Sequence, residues 1–161
     1  MKMKHQIIFL IFLIFNLNSV AQNKPSYPEP KNGFKRVDLM LPRIENEKDF
    51  KIEVRFGRVI PLTECEDGSF TFKLDNLKTM YGIANTTRFP YYALENSNGD
   101  INTGKRSGCK GSDIRVDKKI VSDQNIFIEY QSYYVRPFYI PESWTIEYRI
   151  WAASDYISIE E

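Results

Sequence analysis

Short segments in which apolar and polar residues alternate run through this chain, and that period of two leaves room for little besides sheet. Successive side chains of a strand point to opposite faces, so strict alternation makes one face apolar. Across residues 51–56, Ile52, Val54 and Phe56 alternate with Lys51, Glu53 and Arg55. Across 69–74, Phe70, Phe72 and Leu74 share a face. Across 144–150, Trp144, Ile146, Tyr148 and Ile150 stand opposite Thr145, Glu147 and Arg149. Residues 37–41, 126–130 and 133–140 read as strands in the same way. Only 77–84 has a spacing compatible with one short helix. Aromatic and β-branched enrichment with closely spaced turn signals predicts an all-β fold, an antiparallel β-sandwich or barrel with long surface loops and one disulfide.

Residues 1–21 stand apart from this pattern. Lys2 and Lys4 precede an unbroken apolar run from Ile7 to Phe15, and Ser19-Val20-Ala21 ends in a small residue. That run is too short for a permanent membrane span, and its layout is that of a cleavable export signal. The chain is therefore expected to be exported, with residues 22–161 as a single domain and no membrane association once mature. Cleavage after Ala21 leaves 140 residues, enough for one compact core. Pro25, Pro28 and Pro30 mark the start as an extended arm, and neither an internal repeat nor an interdomain linker follows.

Removing Lys2 and Lys4 leaves 20 basic side chains against 21 acidic ones, a net charge near −1. A near-neutral chain without a basic run offers nucleic acid no electrostatic footing. Cleavage also removes His5, the only histidine. The mature chain then cannot build a Ser-His-Asp or Cys-His catalytic site, or a zinc site with imidazole ligands. No metal, cofactor or enzyme activity is expected. The remaining cysteines, Cys65 and Cys109, are 44 positions apart, and in an exported chain such a pair reads as a disulfide. Closing a loop of that length stabilises by roughly 4 kcal/mol in the chain-entropy account.

Residues 95–113, ENSNGDINTGKRSGCKGSD, do not look like a strand. Four glycines and many small polar residues read as a long exposed loop, and long ordered loops in compact domains are usually functional. Within it, Gly104-Lys105-Arg106-Ser107-Gly108 places two bases just before Cys109. An exposed, extended Arg-Ser segment suits the primary pocket of a trypsin-like protease, which ends in a buried carboxylate. From composition alone, a solvated surface hairpin whose bases only aid solubility, or a linker clipped by proteases, is the leading reading. The acidic stretch Glu45-Asn46-Glu47-Lys48-Asp49 reads as a solvated turn, and Asn85-Thr86-Thr87 as a glycosylation triplet of no assigned role.

Several pieces, in order, resemble the ecotin family of exported bacterial inhibitors of chymotrypsin-fold serine proteases. They are Tyr27-Pro28, Gly33-Phe34-Lys35-Arg36, Lys51-Ile52-Glu53-Val54 with Gly57 before Cys65, Thr79-Met80-Tyr81-Gly82, and Tyr91-Tyr92. Tyr139, Pro141 and Tyr148-Arg149-Ile150-Trp151-Ala152-Ala153 complete the series. The resemblance runs from Tyr27 to the C-terminus and implies a periplasmic inhibitor. It implies that Arg106, three residues before the second cysteine, enters the protease's primary pocket, with Arg106–Ser107 as the bond presented. Thr103, Gly104 and Lys105 would line one side of that bond and Ser107 and Gly108 the other. Lys105 could take the pocket in a shifted register. Family members commonly carry methionine at the pocket position, so arginine implies trypsin-like targets, because an unpaired guanidinium is costly in an apolar pocket. The loop at 66–69, Glu66-Asp67-Gly68-Ser69, would support Arg106 through the disulfide, although it lacks an arginine that the family carries there. The resemblance also implies a second protease-gripping surface near 83–89 and 129–134, with Ile83, Arg88, Gln131 and Ser132 as counterparts. It further implies a homodimer formed by exchange of C-terminal strands, for which the alternating Tyr156-Ile157-Ser158-Ile159 is suited. The alternatives are a secreted β-sandwich module binding carbohydrate or a cell surface, and a hydrolase built on two carboxylates.

Overall fold

The computed structural model describes residues 26–84, 87–155 and 158. The export signal at 1–21, Asn85, Thr86 and, from the alternating tail, Tyr156, Ile157 and Ile159 lie outside the described residues. The strands are β1 (Phe34–Leu39), β2 (Phe50–Leu62), β3 (Glu66–Thr71), β4 (Leu77–Ala84), β5 (Thr87–Leu94), β6 (Asp100–Lys105), β7 (Val116–Glu129), β8 (Arg136–Pro141) and β9 (Trp144–Ala152). They form a four-stranded sheet in the order β1-β8-β5-β4 and a five-stranded sheet in the order β6-β3-β7-β2-β9. The all-β expectation holds, as an open two-sheet sandwich and not a closed barrel. Most pairings are antiparallel, but β3–β7 and β5–β8 are parallel. No helix among the described residues is long and apolar enough to cross a membrane.

Two compact units divide the chain, residues 1–28 with 81–89 and residues 29–80 with 90–161. In the first, Gly82 lies flat against Tyr27, where an added Cβ would come within 2.6 Å of the ring. The second holds the core. Ile52, Val54 and Phe56 of β2 are completely buried, as their alternation predicts. Phe56 meets Phe138 of the other sheet at 6.3 Å between ring centroids, and Tyr92 stacks on Phe138 at 4.8 Å. Trp144 is fully buried and is edge-on to Phe70 at 4.6 Å and Phe72 at 5.2 Å. At Gly57 the β2–β7 register slips, and a Cβ there would meet the Ile120 carbonyl at 2.6 Å. A bulge with backbone in such close approach accepts only glycine.

Three expectations need correction. Residues 77–84 form strand β4, not a helix. Leu74 does not continue the buried face of Phe70 and Phe72: it starts a 3-10 turn, Leu74–Asn76, and is exposed. Residues 95–113 are not all loop, because Asp100–Lys105 pairs along its whole length with β3. The face of β9 also changes character. Trp144 is buried, yet Tyr148 and Ile150 on the same face are exposed, as is Trp151 on the opposite one.

On the outer face of the larger sheet, Glu53 is nearly buried. It accepts hydrogen bonds from Trp151 Nε1 at 2.8 Å and Asn125 Nδ2 at 2.6 Å. Those bonds, with Arg149 and Arg55 nearby, hold its carboxyl below the ordinary 4.5 despite burial. Trp144, by contrast, is buried with its indole Nε1 unpartnered. It acts as an apolar filler. Trp144→Ala should therefore destabilise by about 3–5 kcal/mol, and Trp144→Phe by clearly less, since no hydrogen bond is lost. Urea unfolding of the oxidised protein checks both, and equal losses would assign the indole N–H a role.

Candidate functional site

The Arg106 loop is built from two ends. Its entry is β6, the outermost strand of the larger sheet, whose six residues are all exposed. The ladder to β3 sets Thr103 opposite Gly68, Gly104 opposite Asp67, and Lys105 opposite Glu66. Its exit is the disulfide, with Cys65 and Cys109 Cα atoms 5.6 Å apart. Between them the Arg106 N–H donates to the Cys65 carbonyl at 2.8 Å, one step beyond the ladder. Ser107 and Gly108 then turn the chain, with Gly108 at φ +74° and the Cys109 N–H donating to the Arg106 carbonyl at 3.4 Å. Glycine is needed there, because a type II turn requires positive φ at its third residue. The extended shape expected from the sequence thus reaches Arg106 and ends there.

The segment facing Arg106 is braced by charged side chains. Glu66 Oε2 accepts the Thr63 N–H at 2.9 Å, and Glu66 Oε1 pairs with Arg115 Nη2 at 3.1 Å. Lys118 Nζ donates to the Thr63 carbonyl at 2.6 Å. Glu64 Oε2 accepts the Ser112 N–H at 2.9 Å, which fastens the chain just past Cys109. Gly111 lies close enough to donate to Cys65 Sγ at 3.0 Å. Arg115, entering from ahead of β7, also donates to the Pro61 carbonyl at 3.2 Å. Sequence reading missed Arg115 and Glu64, since nothing in their spacing ties them to Cys65.

The two basic side chains of the loop are both engaged. Lys105 Nζ lies 3.8 Å from Asp113 Oδ1. Arg106 Nε lies 3.3 Å from Asp67 Oδ2, and Arg106 Nη2 donates to the Glu64 carbonyl.

The residues expected on the second surface fall in both compact units. Gln131 Oε1 accepts from Arg136 Nη2 at 2.6 Å and from Tyr134 Oη at 2.6 Å. The Ser132 hydroxyl donates to Glu47. Both side chains are therefore used to shape the 129–136 turn, and Tyr133 is what that turn exposes. Arg88 is exposed on β5. Ile83 lies on β4, with its side chain outside the described residues. Among the described residues, no cluster of His, Cys, Asp or Glu is suited to a metal ion.

The Glu66 carboxyl is held below the ordinary 4.5 first by the Thr63 N–H and then, against some desolvation, by Arg115. A depressed folded value means that its contribution is complete above about pH 4.5 and is lost as pH falls through the folded value. The Thr63 amide resonance, whose N–H Glu66 accepts, should accordingly be constant from neutral pH down to about 4.5 and then shift in acid. Glu66→Gln should abolish that transition in an NMR titration.

Comparison with known proteins agrees with this geometry. The sequence profile of the ecotin family matches residues 23–153. An ecotin of Pseudomonas fluorescens strain Pf-5 is 29% identical over 129 residues, covering 80% of this chain and 77% of that protein. An ecotin of Pseudomonas fluorescens strain Pf0-1 is 27% identical over 133 residues, covering 83% and 78%. One of Pseudomonas putida strain W619 is 25% identical over 128 residues, covering 80% and 76%. With both cysteines bonded, the ordered series of motifs in place and the profile spanning most of its length, the chain belongs to the ecotin family of protease inhibitors.

Proposed function

We propose that the protein inhibits trypsin-like serine proteases by presenting Arg106 to the primary pocket and Arg106–Ser107 as a substrate-like bond. The observation that carries this reading is an exposed edge strand, β6, that runs straight into an arginine held one residue beyond the ladder. An outermost strand has backbone donors and acceptors free on one side, and proteases of this fold bind extended substrate backbone by pairing with it. Thr103, Gly104 and Lys105 supply that backbone. Arg106 leads the pocket contact because Lys105 is still within the ladder, opposite Glu66. Ser107 and Gly108 carry the chain away on the far side, and the disulfide keeps both sides of the bond on one frame. Backbone order already present in the free inhibitor is not lost again on binding.

Residues 22–161 act on this reading as one exported inhibitor domain, placed in the periplasm, where the disulfide is stable. The protein works as a dimer through the end of β9. That strand is the outermost of its sheet, and Tyr148, Ile150 and Trp151 are exposed along it, as expected of a strand covered by a second copy. Exposed aromatics are also what a carbohydrate-binding module would show, and Phe127 and Trp151 lie 6.4 Å apart on the outer face of the larger sheet. Their continuity with the β9 edge favours the second copy as their cover. The Tyr133 turn belongs to the second protease contact.

Titration of trypsin with the oxidised mature protein should show inhibition at about nanomolar Kd. Arg106→Glu should weaken it by about 2–5 kcal/mol, since a buried pocket carboxylate would then face a like charge. Arg106→Met should move the preference toward chymotrypsin-like pockets. Trypsin left fully active by micromolar wild-type protein would refute the reading. Sedimentation should give a dimer that Trp151→Glu dissociates.

A further inference from the structure

The arginine meant for the protease is already occupied by its own chain. Arg106 Nε sits 3.3 Å from Asp67 Oδ2, and its Nη2 donates to the Glu64 carbonyl. Asp67 is directly opposite Gly104 on β3, so the ladder fixes where its carboxylate stands relative to the end of β6. Gly104 meets nothing within 4 Å of where a Cβ would be, and with no side chain of its own it leaves this side of the ladder clear for the guanidinium. Glu64 and Glu66 do not compete for the role. Glu64 Oε2 is taken by the Ser112 N–H, and Glu66 by Thr63 and Arg115. Lys105 is drawn off by Asp113. One carboxylate, Asp67, is thus assigned to one cation.

Any pocket that takes Arg106 must strip the guanidinium from Asp67 and give it an equivalent partner. We propose that Asp67 is an affinity-setting residue, a latch that parks Arg106 against its own loop and has to open before any pocket can take the guanidinium. This rests on Arg106 being the pocket residue. A carboxylate-ended pocket replaces the lost pair with a buried, bidentate one, which is stronger than an exposed pair. A pocket lined by neutral polar groups offers no such replacement; the latch costs every pocket the same, and only a carboxylate recovers that cost. Both partners are more than half exposed, so the latch is weak and its strength depends on salt.

The test is a four-protein set, wild type, Asp67→Asn, Arg106→Met and the double variant, titrated against trypsin and chymotrypsin in low and high salt. Asp67→Asn removes the charge and keeps the shape. On an exposed strand position it should leave the fold intact. In the Arg106 background it should tighten trypsin inhibition by about threefold to fivefold at low salt, the scale of an exposed pair. The gain should shrink toward unity at ~1 M salt, where the screening length is about 3 Å. In the Arg106→Met background it should change nothing against either protease. A second readout needs no protease. The Arg106 Nε resonance of the free protein should shift on Asp67→Asn at low salt, and the shift should shrink in high salt as the ion pair is screened. Trypsin inhibition that Asp67→Asn leaves unchanged or weakens overturns the latch and leaves the proposed function standing. The same gain in the methionine background also overturns it. No inhibition by any Arg106 protein removes the proposed function, and the latch with it.

Discussion

Leu62 and Phe70 are almost completely buried, and the chain between them cannot move as a body without disturbing the core. That short span contains Cys65, the carbonyl that receives the Arg106 N–H, and the carboxylates of Glu64, Glu66 and Asp67. It is the fixed wall against which the functional loop is built. β6 is zipped to it, Cys109 is bonded to it, and Arg115 and Lys118 clamp it from the β7 side. An exposed loop rich in glycine would otherwise sample many shapes. The wall allows few, because both of its ends, Leu62 and Phe70, are anchored in the core.

Elements with a buried face were legible in the sequence. β2 shows this best: Ile52, Val54 and Phe56 alternate because burial demands it, and each is inaccessible to solvent. β6 was not legible, for the same reason turned round. None of its six residues is buried, so no selection for a buried apolar face leaves a period of two in Asp100–Lys105. β4 was misread because Leu77, Met80, Tyr81 and Ala84 fall at helical spacing by accident. Met80 and Tyr81 are in fact exposed, and the segment is held by strand pairing. The parallel β3–β7 and β5–β8 contacts could not be read at all, since pairing direction between distant strands is a property of the fold and not of either segment.

The ordered motifs that identified the family acquire physical reasons in the structure. Glu53 and Trp151 sit in pieces nearly a hundred residues apart, yet the carboxylate accepts the indole N–H at 2.8 Å. A carboxylate sunk into a sheet face is costly unless it is fully bonded, and Trp151, Asn125 and Arg149 supply the partners. Gly33 has φ +78°, and its carbonyl receives the Glu142 N–H where β1 begins opposite the end of β8. Tyr91 and Tyr139 meet edge-on at 5.3 Å across β5 and β8. The site itself was half visible. The cysteine pair could be read from the sequence, Arg106 and the supporting segment 66–69 came from the resemblance, and the contacts of Asp67, Glu64 and Arg115 with the loop appear only in the folded chain.

The loop therefore divides its restraint unequally between backbone and side chain, and magnitudes show why this suits an inhibitor. Fixing a residue's backbone costs about 1–2 kcal/mol, so ordering the six residues of β6 at the moment of binding would cost of order 10 kcal/mol. The ladder and disulfide meet that cost during folding. The Asp67–Arg106 pair is exposed and so contributes at most about 1 kcal/mol. It is far too weak to offset the gain from a bidentate pair in a dry pocket, which includes charge-assisted bonds of about 1.5–3 kcal/mol each. A rigid backbone with a lightly held side chain keeps tight binding available at the cost of no more than that weak pair. A loop that locked the guanidinium as firmly as the backbone would lose affinity to its own latch, and one that held neither would lose it to the entropy of ordering the strand.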